Sequence, residues 1–513
     1  MSESETPPGQ PQSQKKGQKK GKSLTDEAVD GVAWQGLAVG ANVFLRAAIL
    51  ILLARSIGAA EFGIIAAATV LISVAEKLSQ IGVARVLVQR LTLTDEDVKS
   101  AFAISLYTGL AATAVLFLSA SLWSSLFKID GLVPFIQFLA FTLLLNNLAT
   151  IPAALLQRDR RFRAMGMVEL GSYVFGFGLV ALPLAKLGFG TWSLAIAQLV
   201  QVTSRAAALF AMRRTPIRLW PSRAAAGGLL NVGSGFSAGQ VGNFVATQID
   251  YLIVGRWLGV EALGFYNRAY QFLMLPTQLF GTAVSMVLFP SIASIQDQPD
   301  RIARAYLRAL GVIAMMTLPV SAVMIILAPE LIRFLLGKAW TDMILPFQIL
   351  ITTLLFRTSY KISDAVTLAM GSMYQRAWRQ WIYAAAVAGG ALVGTRWGIA
   401  GVAVGVGAAV ILNFLLMLQL AQRVTALGIG PIIRVHLRQF AIAALIALPV
   451  WIATEAARHQ HFSSVLVLGT GCLVATAAGS IVWFRFRSIL GEDGAWLHQM
   501  AMARLGSILN RKA

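Results

Sequence analysis

The chain has 513 residues, 57% hydrophobic and only 13% charged, with a mean hydropathy of +0.70. A soluble protein of this length is more polar; apolar runs of about 20 residues recur to the end, each matched to a roughly 30 Å hydrocarbon core. The net charge of +20 would point to nucleic acid in a soluble domain. Here Lys and Arg punctuate apolar runs, so they report topology, and no nucleic-acid partner is expected.

In chain order, residues 1–30 are polar, carry "QKKGQKKGK" and lack the apolar run of a signal peptide. They are expected to form a disordered basic tail in the cytoplasm. Six segments of helical length follow, at roughly 31–57, 62–88, 100–127, 131–157, 164–186 and 189–212. They make an N-terminal lobe, 31–213. A cytoplasmic linker, 214–228, leads to a C-terminal lobe, 229–423, with segments at roughly 229–256, 262–293, 303–328, 342–370, 377–395 and 398–422. Two additional spans, at roughly 435–456 and 463–484, occupy 424–487. Residues 488–513 are a second cytoplasmic tail. The expected fold is an all-α polytopic membrane protein of about 14 transmembrane helices.

Charge supports this partition. Loops after even-numbered spans carry "QRDRRFR" (157–163), "RRTPIRLWPSR" (213–223) and "RIARAYLR" (301–308), whereas odd-numbered loops hold single basic residues such as Lys128, Lys186 and Arg396. About 29 Lys and Arg fall on the tail and even-loop side, about 8 on the other and about 6 within spans, a bias that marks the first side as cytoplasmic. Both termini are then cytoplasmic.

The lobes are related. "ARSIGAAEFG" (54–63) and "GRWLGVEALG" (255–264) share Arg55, Gly58 and Gly63 with Arg256, Gly259 and Gly264 at identical spacing. "GTWSLAIA" (190–197) resembles "GIAGVAVG" (398–405) at a similar offset. Six spans per copy preserve orientation, so the copies are related by a pseudo-two-fold along the membrane normal, with a site expected between them.

Charges inside the spans are the functional candidates: Arg46, Glu76, Lys77, Glu169, Asp250, Arg268, Arg357, Lys361 and Asp364. Pairing within the bundle or snorkelling to an interface is the bland alternative for each. Glu169 is expected to pair with a basic loop. Arg357, Lys361 and Asp364 lie on one helical face, where Lys361 reaches Asp364 while Arg357 and Lys361 repel. Arg46, Lys77, Arg268, Arg357 and Lys361 outnumber the deep carboxylates, which predicts a cationic cavity for a phosphate or carboxylate ligand. Asp250 and Asp364 are candidates for a coupling Na+ or H+; no other cofactor and no metal centre is expected. There is no Walker A loop, and no long extramembrane loop for a catalytic domain, so the chain is not expected to be an enzyme. Cys472, the single cysteine, is expected in core packing.

The stretch "DYLIVGRWLGVEALGFYNRAYQFLMLPTQLFGTAVSMVLFPSIA" (250–293) resembles the seventh and eighth spans of polysaccharide transporters, above all in "LGVEALGFYNRA" and "LPTQLF…LFPS". These are oligosaccharide flippases of the multidrug/oligosaccharidyl-lipid/polysaccharide exporter superfamily. The resemblance covers about 31–422, and the last two spans fit the 14-span branch, similar to colanic-acid and succinoglycan repeat-unit exporters. It implies export of undecaprenyl-diphosphate-linked oligosaccharide across the bacterial cytoplasmic (inner) membrane for exopolysaccharide, capsule or O-antigen (lipopolysaccharide) assembly. It further implies alternating access between two six-helix lobes, with a polymerase and export machinery as candidate partners. Related lipid II flippases carry essential basic residues on spans one, two and eight, comparable to Arg46, Lys77 and Arg268; at Lys77 a point charge replaces arginine's fork. The alternatives are a multidrug/cation antiporter of the same superfamily, which favours an acidic cavity, and a membrane enzyme or scaffold of polysaccharide assembly.

Overall fold

A computed structural model describes residues 24–485 apart from 81–82, 91, 217, 221, 223–236, 294–298 and 371. Residues 1–23 and 488–513, and much of the expected linker, lie outside the described residues. Every regular element among the described residues is helical. The first lobe contains α1 (Leu24–Ser56), α2 (Ala59–Ser79), α3 (Val83–Gln89), α4 (Asp95–Leu118), α5 (Ala120–Phe127), α6 (Leu132–Arg158), α7 (Phe162–Lys186) and α8 (Thr191–Met212). The second contains α9 (Ser237–Ala246), α10 (Ile249–Trp257), α11 (Val260–Ala293), α12 (Pro299–Leu335), α13 (Ile344–Ile351), α14 (Leu354–Ala369), α15 (Met373–Gly394) and α16 (Gly398–Thr425). Helices α17 (Ile429–His459) and α18 (Ser464–Arg485) follow.

All fourteen expected segments contain helix, and their boundaries and continuity carry the corrections. Helix α1 begins at Leu24, inside the stretch expected as a tail. Helix α4 begins at Asp95 because Thr94 caps it: the Thr94 hydroxyl accepts from Asp97 N at 3.2 Å and the Asp97 carboxylate from Thr94 N at 3.1 Å, a reciprocal cap that satisfies two end donors. The second span breaks after Ser79, and the seventh at Thr247–Gln248. The tenth bends by 43° between α13 and α14. Helix α7 carries a π-helical stretch, Val174–Ala181, a feature that recurs at functional sites.

Nine stretches among the described residues are long and apolar enough to cross a membrane, ten if the bent pair is one span. The Tyr374–Thr425 stretch counted once there is a hairpin: α15 and α16 fold back so closely that a Cβ on Gly394 would stand 2.4 Å from the Gly401 carbonyl oxygen. Fourteen therefore remains an expectation.

Packing follows the lobes. In the first, α6 is the centre, against α2, α4 and α8; in the second, α16 packs on α13, α14 and α15. The lobes meet mainly where α2 lies on α11, with α1 on α11 and α10 on α2 and α5. The largest core cluster runs through both lobes, from Leu53, Phe62 and Leu139 to Tyr266, Trp340 and Phe347. The outer faces expose Leu118, Leu122, Leu448, Trp451, Leu473 and Phe484, a cover that only hydrocarbon makes favourable at this extent. Cys472 is also exposed, not core: α18 packs mainly on α12 and α17, and Cys472 lies on a face turned away from them.

Candidate functional site

The interface between α2 and α11 carries the first of the predicted arginines. Arg268, one turn beyond Gly264 on α11, is 5% exposed. Its guanidinium lies 3.8 Å over the ring of Phe62 from the other lobe. One Nη donates to Gln271 Oε1, and Gln271 Nε2 donates to Asn267 Oδ1 at 3.0 Å. Arg268 Nε is buried and finds no acceptor. Helix α11 continues through Pro276, and the Thr277 hydroxyl returns to the Leu273 carbonyl at 2.9 Å.

Arg357, on α14, is equally buried. Its Nε donates to Thr353 Oγ1 at 3.1 Å and Nη1 to the Tyr270 hydroxyl at 2.6 Å; Nη2 is left without a partner. Neither Arg268 nor Arg357 forms an ion pair with a carboxylate among the described residues. Arg46, on α1, differs. It donates to Glu169 Oε1 at 2.9 Å and sits 4.6 Å over the ring of Tyr173, while its Nε is unpartnered.

Phenol rings join the three. Tyr173 lies within Coulombic reach of Arg46 and Arg268, and Tyr251 within reach of Arg268 and Arg357. Tyr251, Tyr266 and Tyr270 pack with centroids 5.5–6.2 Å apart. Asp250 lies at the foot of this cluster, 1% exposed, in the first turn of α10 after the Thr247–Gln248 break. It accepts from the Tyr266 hydroxyl at 2.7 Å and from Tyr251 N at 3.0 Å. Charge alone does not single out the tyrosines; their signal in the sequence is the i, i+4 pair Tyr266 and Tyr270 flanking Arg268 on a helix that also carries Asn267 and Gln271.

The other candidates fall elsewhere. Lys77 and Lys361 are exposed, outside the buried set. Lys361 does not hold Asp364; both Asp364 oxygens accept from the fork of Arg376, in the first turn of α15. A planar fork matches a carboxylate better than an ammonium does. A coupling ion at Asp364 would have to displace Arg376. Glu169 does not pair with a loop either: it bridges Arg46 and Arg205, the latter at 2.9 Å from Oε2, because α1, α7 and α8 converge there. Glu76 accepts from Gln80 at 2.9 Å.

Among the described residues the arrangement offers buried guanidinium N–H groups of Arg268 and Arg357 that no carboxylate accepts, with Asp250 within Coulombic reach of Arg357 alone, a combination suited to an anion. In this conformation Arg268 is covered by Phe62 of the first lobe and Arg357 is buried within the second, so the expected cationic cavity is closed around both.

Comparison with known proteins agrees with this architecture. The chain is 26% identical to the succinoglycan biosynthesis transport protein ExoT of Rhizobium meliloti (60% of this chain, 62% of that one) and 23% identical to the teichuronic acid biosynthesis protein TuaB of Bacillus subtilis (89% and 94%). It is 23% identical to the lipopolysaccharide biosynthesis protein WzxC of Escherichia coli K12 (66% and 68%). In fold it is similar to the lipid II flippase MurJ in an inward closed conformation, with a TM-score of 0.69 at 15% identity over 88% of this chain and 98% of that one. A multidrug-resistance MATE transporter, inward-facing, gives 0.60 at 15% identity over 76% and 98%. A family profile described as "Polysaccharide biosynthesis protein" matches residues 52–345, more than half of the chain, and the protein belongs to that family.

Proposed function

We propose that this protein is a flippase that moves undecaprenyl-diphosphate-linked oligosaccharide repeat units from the inner to the outer leaflet of the bacterial cytoplasmic membrane, for surface polysaccharide assembly. One observation carries the reading: Arg268 and Arg357 are buried with open N–H donors, and neither forms an ion pair with a carboxylate among the described residues. An uncompensated buried charge costs several kcal/mol, and a diphosphate supplies the missing acceptors. The MATE-like fold is shared with drug exporters, but a cation substrate would be repelled here.

In this reading the lipid tail stays in the bilayer while the diphosphate passes between the lobes. Arg46, Arg268 and Arg357 replace the water lost by the phosphates, and the tyrosine faces cover the first sugars. An inside-negative potential favours outward movement of each uncompensated anionic charge by about 2.3 kcal/mol per 100 mV. Asp250 is the residue for a coupling Na+ or H+: its hydrogen bonds come from neutral donors, and Arg357 acts on it by Coulombic attraction without a hydrogen bond or ion pair between them. The chain performs no covalent chemistry and hands its cargo to a polymerase.

A deletion strain should accumulate lipid-linked oligosaccharide, identified by mass spectrometry. Absence of accumulation, together with restored resistance to cationic drugs in an exporter-deficient strain, would replace this reading with the antiporter. Topology is tested separately: Ser222→Cys and Asp130→Cys should label from opposite sides of the membrane.

A further inference from the structure

The repeated motifs "ARSIGAAEFG" and "GRWLGVEALG" meet in space. A Cβ placed on Gly63 would stand 1.8 Å from the carbonyl oxygen of Val260; one placed on Gly264 would stand 1.9 Å from the carbonyl oxygen of Ala59. Val260 is the counterpart of Ala59 in the repeat, and Gly264 of Gly63. The two backbones therefore touch reciprocally across the pseudo-two-fold, at a distance that no other residue type permits.

Further contacts between the lobes gather at the same level. Trp340 Nε1 donates to the Ala54 carbonyl at 2.9 Å, and the Arg55 guanidinium caps the end of α12 by donating to Leu335 O at 2.8 Å and to Phe334 O. Phe62 and Phe265 pack edge-on against Trp340, with centroids 5.7 and 5.8 Å away. The loops involved, 57–58, 258–259 and 336–343, are all odd-numbered, so charge assigns them to one side, away from the cytoplasm. The same Phe62 ring carries Arg268 on its face.

We infer that Gly63 and Gly264 form the closing contact of an outward gate, and that Phe62 couples it to the anion site by lying between Trp340 and Arg268. An anion that draws Arg268 off Phe62 loosens the packing of Phe62 on Trp340 beside the glycine contact. This rests on the transport reading for its purpose, but the gate itself requires no particular cargo.

The test uses the full chain in intact cells, with Cys472→Ser and the reporter Ala67→Cys. Ala67 lies one turn deeper than Gly63, is fully buried and is the repeat counterpart of Arg268. An impermeant maleimide added outside should leave it unlabelled. Gly63→Ala and Gly264→Ala should each speed labelling at least tenfold, equally, and the double variant no further, since one clash already opens the gate. Gly394→Ala is the control: it creates a comparable clash within the second lobe, against Gly401, and should leave labelling unchanged. Phe62→Ala introduces no clash and should also expose the reporter, which keeps the test open if a glycine variant does not accumulate. Unchanged labelling in the folded Gly63, Gly264 or Phe62 variants, or an equal rise with Gly394→Ala, would overturn the gate. Failure of oligosaccharide accumulation in the deletion strain would overturn the cargo and leave the gate standing.

Discussion

Arg458 and Arg268 are both guanidiniums held among membrane helices, and their surroundings treat them in opposite ways. Where α17 docks on α12, Arg458 donates to both oxygens of Glu330, at 3.0 and 2.8 Å, to Glu455 at 3.1 Å and to the Ile326 carbonyl at 2.7 Å. Its donors are spent on the protein. At the lobe interface Arg268 has an amide oxygen, a phenyl face and an open Nε. The first arrangement fixes two helices; the second holds a charge in reserve. A buried arginine therefore indicates a ligand only when the protein leaves its hydrogen bonds unmade.

The largest expected effect tests this contrast at Arg268. Arg268→Ala should accumulate normally and lose polymer export by 100-fold or more, on the order of 3 kcal/mol of lost charge-assisted binding. Arg268→Lys should be intermediate, because charge survives while the fork is lost; Arg268→Glu should be inactive. Thermal stability in detergent should stay within about 1 kcal/mol or rise, because an unsatisfied buried cation has been removed. Export by Arg268→Ala at wild-type levels would reduce the residue to packing.

Asp250→Asn comes next. Asparagine keeps an acceptor for the Tyr266 hydroxyl but loses charge, so folding should change by less than about 1.5 kcal/mol while export falls about tenfold. Normal export across a range of pH and sodium would remove Asp250 from coupling. Arg458→Ala, by contrast, strands Glu330 and should cost about 2 kcal/mol of stability, seen as a lowered Tm, with export falling only in proportion to folded protein. Replacing both Arg458 and Glu330 by Met should recover much of the loss.

Much of this was legible in the chain because it depends on one-dimensional patterns. Apolar runs marked the helical segments, charge marked the sides, and the match of Gly63 with Gly264 marked the repeat. Breaks were not legible: nothing in the hydropathy of 342–370 distinguishes a straight span from one bent at Thr352–Thr353. Pairing was legible only within one helix. The i, i+3 spacing favoured Lys361 with Asp364, but Arg376 arrives from the next helix and takes both oxygens. Likewise Glu169 is claimed by Arg46, 123 residues away in sequence. That Gly63 faces Val260 depends on how two lobes dock, which a repeat implies but does not locate.

The smallest effect separates the two roles of Arg46, which stands between Arg458 and Arg268 in character. It is paired, yet its Nε is open and its charge lies over Tyr173. Its ion pair with Glu169 is about one-third exposed, and such pairs contribute about 0.2–1 kcal/mol. Glu169 would keep Arg205 if Arg46 were lost. Arg46→Ala should therefore cost under about 1 kcal/mol of stability. If Arg46 serves only to hold α1 on α7, Glu169→Gln removes the same pair and should give the same export. If Arg46 holds phosphate, Glu169→Gln frees a donor and should leave export unchanged or higher, while Arg46→Ala lowers it about fivefold, or about 1 kcal/mol. Comparing the two variants at matched protein levels decides which arginine Arg46 resembles: equal losses place it with Arg458, and a loss confined to Arg46→Ala places it with Arg268.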